Sequence, residues 1–113
     1  MTTPMPRRVV TGLDHEGRSA VIVDGPAVRV SPYGGLAWHA PGAVPDNSGQ
    51  DDSAPAAFDF DLMHAGSTFM HHTFEPGQGE FWHVTDTIDY IVMLEGEVVL
   101  MLEAGEVTLR KGD

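Results

Sequence analysis

The chain has 113 residues, no cysteine, and seventeen acidic against six basic side chains, for a formal charge of −11. A chain of this length makes one domain at most and buries only about two-thirds of its unfolded surface, so its core is thin. Without cysteine there are no disulfides, thiolate metal sites or cysteine nucleophile, and the negative charge repels phosphate backbones and anionic lipids, so neither nucleic acid nor a membrane is an expected partner.

Residues 1–6 are short and carry prolines, and Arg7-Arg8 leads into no long apolar region. No window of about 20 apolar residues occurs either, which predicts a soluble, cytoplasmic protein. Arg7 to Gly12 and Ser19 to Asp24 are β-branched runs on either side of the polar turn Asp14-His15-Glu16-Gly17, a pattern that predicts a hairpin. Ala27 to Val30 and Gly34 to His39 are two shorter strands, punctuated by Pro26, Pro32 and Gly34-Gly35. Residues 40–57 are mostly Pro, Gly, Ser, Asp, Asn, Gln and Ala. They hold too little apolar surface to offset the entropy of ordering, so a long loop without regular structure is expected there.

Phe58 to Leu62 alternates at period two and reads as a short strand or a packed turn. Gly66 to Phe74 is a better strand, with Thr68, Met70 and His72 on one face and Phe69, His71 and Thr73 on the other. Pro76-Gly77-Gln78-Gly79 signals a turn, and Ile88 to Leu94 is an apolar run that reads as a buried strand ending at Glu95-Gly96. Glu97 to Leu102 and Val107 to Arg110 flank the tight turn Glu103-Ala104-Gly105-Glu106. Helical periodicity is nowhere sustained, so short strands punctuated by Gly and Pro argue an all-β sandwich or barrel. The natural division is 1–65, strands and long loop, followed by 66–113.

The stretch Pro76 to Gly96, PGQGEFWHVTDTIDYIVMLEG, holds the readable chemistry. His83, Thr85 and Asp89 share one parity, so on a strand they point the same way. Counting from Gly77, five residues precede His83, one separates it from Thr85, three lie before Asp89, and six more lead to Gly96. This resembles the first signature of the cupins: a glycine, five residues, His-x-His, three or four residues, a glutamate, six residues and a glycine. Thr85 stands where the second histidine would be and Asp89 where the glutamate would be. Lys111-Gly112-Asp113 resembles the turn that opens the second cupin signature, so the resemblance implies a cupin-like jelly-roll β-barrel or sandwich that is C-terminally incomplete.

The resemblance implies a divalent metal ion (Fe, Mn, Zn, Ni or Cu) held by His83 and Asp89, with the last ligand a histidine of the second signature, after Asp113, and the site therefore incomplete in this chain. Asp89 with Tyr90 is the candidate acid/base pair, Asp86 being read as a solvated turn aspartate. Thr85, Trp82 and His72 are candidate substrate contacts, the hydroxyl of Thr85 being a poor metal ligand at neutral pH; Phe81 and Trp82 would form an apolar rim. For each residue a plainer role competes: a satisfied aspartate, a core aromatic, a histidine on a strand surface. Phosphate-loop, zinc-protease, nucleophile-elbow, EF-hand and dinucleotide motifs are absent from the sequence.

Two functions follow as expectations: a small metal-dependent enzyme of oxygenase, dehydratase, isomerase or decarboxylase type acting on a small molecule or organic acid, or a non-catalytic cupin module that binds a small molecule or dimerises. Whether the protein is an enzyme stays open on the sequence. His83, Thr85 and Asp89 are expected to converge on a barrel interior. A chain ending before the closing strands is expected to be marginally stable or to pair its edges as a homodimer.

Overall fold

The computed structural model describes residues 3–54 and 66–113, and the chain divides into two compact units, Met1–Thr73 and Phe74–Asp113. Every regular element among the described residues is a strand, and every ladder is antiparallel. The first unit holds β1 (Arg7–Leu13) paired with β2 (Ser19–Pro26), and a second sheet of β3 (Val28–Ser31), β4 (Gly34–Ala40) and β5 (Ser67–His72) in that order. The second unit holds the hairpin β6 (Glu97–Leu102) and β7 (Gly105–Arg110). The all-β expectation holds; among the described residues the sheets do not close into a barrel.

Local chemistry explains the first hairpin. Asp14 folds the turn by accepting the backbone N–H groups of Glu16 and Arg18 on Oδ1, both at 2.9 Å, an Asx-type turn that competes well with continued strand. The strands then alternate: Arg8, Val10 and Gly12 face inward and Arg7, Val9, Thr11 and Leu13 outward. The register shifts between Val10 and Thr11, which pair with Val23 and Val21, so Ile22 is the extra residue of a bulge. Ile22 lies over Gly12, where an added Cβ would stand 3.2 Å from its Cδ1; the missing side chain is what lets the bulged residue pack.

The core is small. Among the described residues, Leu36 on β4 is fully buried, joined by Ala27 and Ala54. Replacing Leu36 with Ala deletes the largest side chain of this core and is expected to cost about 2–5 kcal/mol by denaturant unfolding.

Among the described residues, one charged side chain is buried with that core. Arg8, only 8% exposed at its side chain, forms an ion pair with Asp52, whereas its neighbour Arg7, 71% exposed, pairs with Asp24 on the outer face. Its Nε donates to the carbonyl of Pro26 at 3.3 Å, Nη1 donates to the carbonyl of Ala37 at 3.1 Å and to Asp52 Oδ1 at 2.8 Å, and Nη2 donates to Asp52 Oδ2. The Ala37 carbonyl is available because the β4–β5 register skips from Leu36–Met70 to Trp38–Phe69, leaving Ala37 as the bulge residue. A buried guanidinium needs such partners, since leaving water costs several kcal/mol that only pairing offsets.

Residues 41–54 carry no helix or strand, in agreement with their composition; Ala40 ends β4, and 55–57 lie outside the described residues, as does Phe58 to Leu62. The run Ile88 to Leu94 differs from its reading as a buried strand. It belongs to no strand, and Ile88, Tyr90, Ile91, Val92 and Leu94 are exposed. An apolar run becomes a strand only when a neighbour takes its backbone groups, and among the described residues the ladder here is limited to Met93, which donates to the Asp113 carbonyl and accepts from Gly112 N–H, both at 2.9 Å. β5 pairs with β4, so it belongs to the first unit and not with 74–113.

The Asp52 carboxyl is held below the usual carboxylate range by its hydrogen bonds from Arg8, helped by the Ala54 backbone N–H. A depressed carboxyl contributes stability above its unfolded value of about 3.9 and loses it as pH falls through the folded value. Asp52→Asn is therefore expected to lose about 3 kcal/mol in urea unfolding at pH 7, and the gap between wild type and variant to close below about pH 4.

Candidate functional site

The segment that carries the sequence signature runs from the turn at Gly77 to Gly96. Gly77 and Gly96 both sit at φ +75°, and Gly79 between them at +88°, a left-handed conformation that L side chains rarely adopt, so both positions that frame the signature, and Gly79 within it, require glycine. The turn itself is closed by Gln78, whose backbone N–H reaches the Glu75 carbonyl at 3.1 Å while its side-chain Oε1 accepts the Glu75 N–H at 2.8 Å.

Between the glycines the contacts run between residues two apart. The Phe81 and His83 rings stack at 5.1 Å with an interplanar angle of 28°, and Trp82 Nε1 donates to Glu80 Oε2 at 2.9 Å. Thr87 Oγ1 donates to Asp89 Oδ1 at 2.9 Å, and Thr85 Oγ1 lies 2.7 Å from Thr87 Oγ1. A hydroxyl has one proton, and Thr87 gives it to the carboxylate, so Thr85 is the donor of that pair and the relay runs Thr85 to Thr87 to Asp89. These contacts join Phe81 to His83, and Thr85 through Thr87 to Asp89; residues 81–89 belong to no strand and the backbone bends at Asp86 and Thr87, so the parity read from the sequence has no ladder to act on. Thr87 was not among the candidates, although the same parity count includes it.

His83 Nδ1 lies 3.1 Å from the carbonyl of Phe81. A carbonyl only accepts, so Nδ1 carries the proton of this contact; in the neutral ring that leaves the lone pair on Nε2, the arrangement in which a histidine serves as a metal ligand or hydrogen-bond acceptor. The ring and its neighbours are not enclosed: His83, Thr85, Asp89, Trp82 and Tyr90 are all exposed, Tyr90 at 93%. The expected convergence on an interior is corrected accordingly, because parity aims side chains at a cavity only when a sheet supplies one. Asp89 and Tyr90, the candidate acid/base pair, are likewise both open to solvent.

His72 lies on β5 in the first unit, opposite Gly34. Desolvation of its ring and, to a lesser degree, the proximity of His71 lower its pKa. The buried Nδ1 of His71 finds no hydrogen-bond partner among the described residues.

A metal ion tests the donor set directly. Among the described residues no three His, Asp or Glu side chains come together in a way that could hold one; His83 and Asp89 are two donors, where a catalytic centre uses three and water. No contact joins His83, which is tied to Phe81, to Asp89, which is tied to Thr87, so no catalytic step is derived from an ion there. Fold and segment together define a protein of small antiparallel sheets with an open, hydroxyl- and carboxylate-lined segment between two left-handed glycines. No family model matches the chain, and no curated protein matches it.

Gly96 has no heavy atom within 4 Å of where a Cβ would be, so Gly96→Ala meets backbone strain alone. The expected loss is about 1 kcal/mol by denaturant unfolding. An unchanged stability would show that Gly96 is not held in this conformation.

Proposed function

We propose that this protein is a cupin-type, jelly-roll domain that binds a small molecule through the 83–89 face. In this reading His83 Nε2 is the principal contact, Asp89 the carboxylate contact, Thr85 and Thr87 orient that carboxylate, and Trp82 is the apolar rim. His83 and Asp89 would be the residues to hold a divalent ion of iron, manganese, zinc, nickel or copper, which would supply Lewis acidity for oxygenase, dehydratase, isomerase or decarboxylase chemistry on an organic acid or other small oxygenated substrate. The observation that carries the reading is the pair of framing glycines at φ +75°, at the spacing of the signature, with His83 held in the ligand tautomer between them.

The two-donor site favours a second reading, a non-catalytic module in which the same face binds a small molecule by hydrogen bonds alone. Elemental analysis of purified wild type and of His83→Ala separates the two. The first reading expects a stoichiometric transition metal in the wild type that is lost in His83→Ala while the melting temperature holds. A wild type that takes up no metal from solutions of these ions removes the first reading and leaves the second.

A further inference from the structure

The Arg8 guanidinium is oriented by the strand backbones before any carboxylate is considered. The Pro26 carbonyl at the end of β2 accepts from Nε, and the carbonyl of the bulge residue Ala37 on β4 accepts from Nη1. The remaining edge, Nη1 and Nη2 side by side, is the one that grips Asp52 with two parallel bonds, the geometry in which arginine recognises a carboxylate. The carboxylate that fills this fork comes from the least committed segment of the unit. Residues 41–49 are exposed throughout, and the part that touches the sheets is seated by Gln50 Nε2 on the Leu13 carbonyl at 2.7 Å, Ser53 Oγ on the His39 carbonyl, Asp52 itself and the small side chain of Ala54.

We propose that the Arg8 fork is a binding site for a small organic carboxylate, with Asp52 as its built-in occupant and residues 50–54 as a strap that a free carboxylate displaces. The site lies in the first unit and does not rest on the 83–89 face. The exchange conserves charge and hydrogen bonds: one carboxylate leaves the fork, another enters, and the buried guanidinium is never left unpaired. Among the described residues the strap gives up the hydrogen bonds of Gln50 and Ser53, which water replaces, and the burial of one methyl group at Ala54. Because Asp52 is tethered, it competes at an effective concentration of about the millimolar range, so a free acid must be abundant or bring contacts of its own to take the site. The space Asp52 vacates is that of a planar carboxylate on a methylene, which suits acetate-like acids better than a tetrahedral phosphate.

Asp52→Ala removes the occupant and makes the fork available to an added one. Acetate at about 100 mM is expected to raise the melting temperature of Asp52→Ala by about 4 °C or more over chloride at the same ionic strength. Phosphate should give less, and Arg8→Met/Asp52→Ala should respond to acetate and chloride alike. In the wild type, acetate should accelerate hydrogen exchange at the amides of residues 50–54 and leave β4 unchanged. An Asp52→Ala protein that melts alike in acetate and chloride overturns the proposal. If that variant folds in neither salt, the wild-type exchange decides: unchanged protection of 50–54 in acetate shows a purely structural ion pair, and faster exchange confined to the strap supports the site.

Discussion

A guanidinium cannot shed its proton, so wherever Arg8 goes its charge goes too. β1 turns it inward at the alternate position to Arg7, and the consequence spreads through the first unit: a carbonyl 18 residues along the chain, a second 29 away and a carboxylate 44 away are gathered around one side chain. The bulge at Ala37 makes sense in this light. A regular β4–β5 ladder would leave no extra residue there, and the carbonyl that meets Nη1 belongs to the residue the register skips. The otherwise featureless loop is attached to the sheets at the same place, so the ion pair organises a segment that apolar burial alone would not hold.

The second unit has no such constraint, and its order is of a different kind. β6 and β7 form a regular ladder from Glu97–Arg110 to Leu102–Gly105, but a two-stranded hairpin is marginal in water unless a further strand or sheet covers its face. Val99, Leu100, Leu102 and Val107 are exposed on it. Residues 80–89 before it are ordered by neighbours two apart along the chain, a ring stack and a hydroxyl relay ending on Asp89. Contacts of this range tie near neighbours together; they do not decide what those side chains face.

The proposed function follows from this division. His83 has its tautomer and Asp89 its orienting hydroxyl from purely local contacts, so the 83–89 face is prepared before any long-range packing is considered. Additional donors must come from elements distant in sequence, as the fork of Arg8 obtains its carboxylate. The two sites thus differ in the source of their preorganisation: backbone dihedrals and i to i+2 contacts in one, strand carbonyls in the other.

The sequence by itself determined what depends on neighbours in the chain. The Asp14 turn, the strands at β1 and β2, the shorter β3 and β4, β5, the β6–β7 hairpin and the irregular 41–54 segment are legible from turn chemistry, β-branching and alternation. What required tertiary structure is everything set by a partner far along the chain. Ile88 to Leu94 has the composition of a buried strand, yet strandness is a property of a ladder, and among the described residues Met93 alone finds backbone partners, at the residues that follow β7. Arg8 was legible only as half of a basic pair at the start of a strand. Its burial, its hold on Asp52 and the bulge that frees Ala37 arise from the meeting of β1, β2, β4 and the loop, because the cost of a buried charge is decided by which groups surround it and not by the residues beside it in sequence.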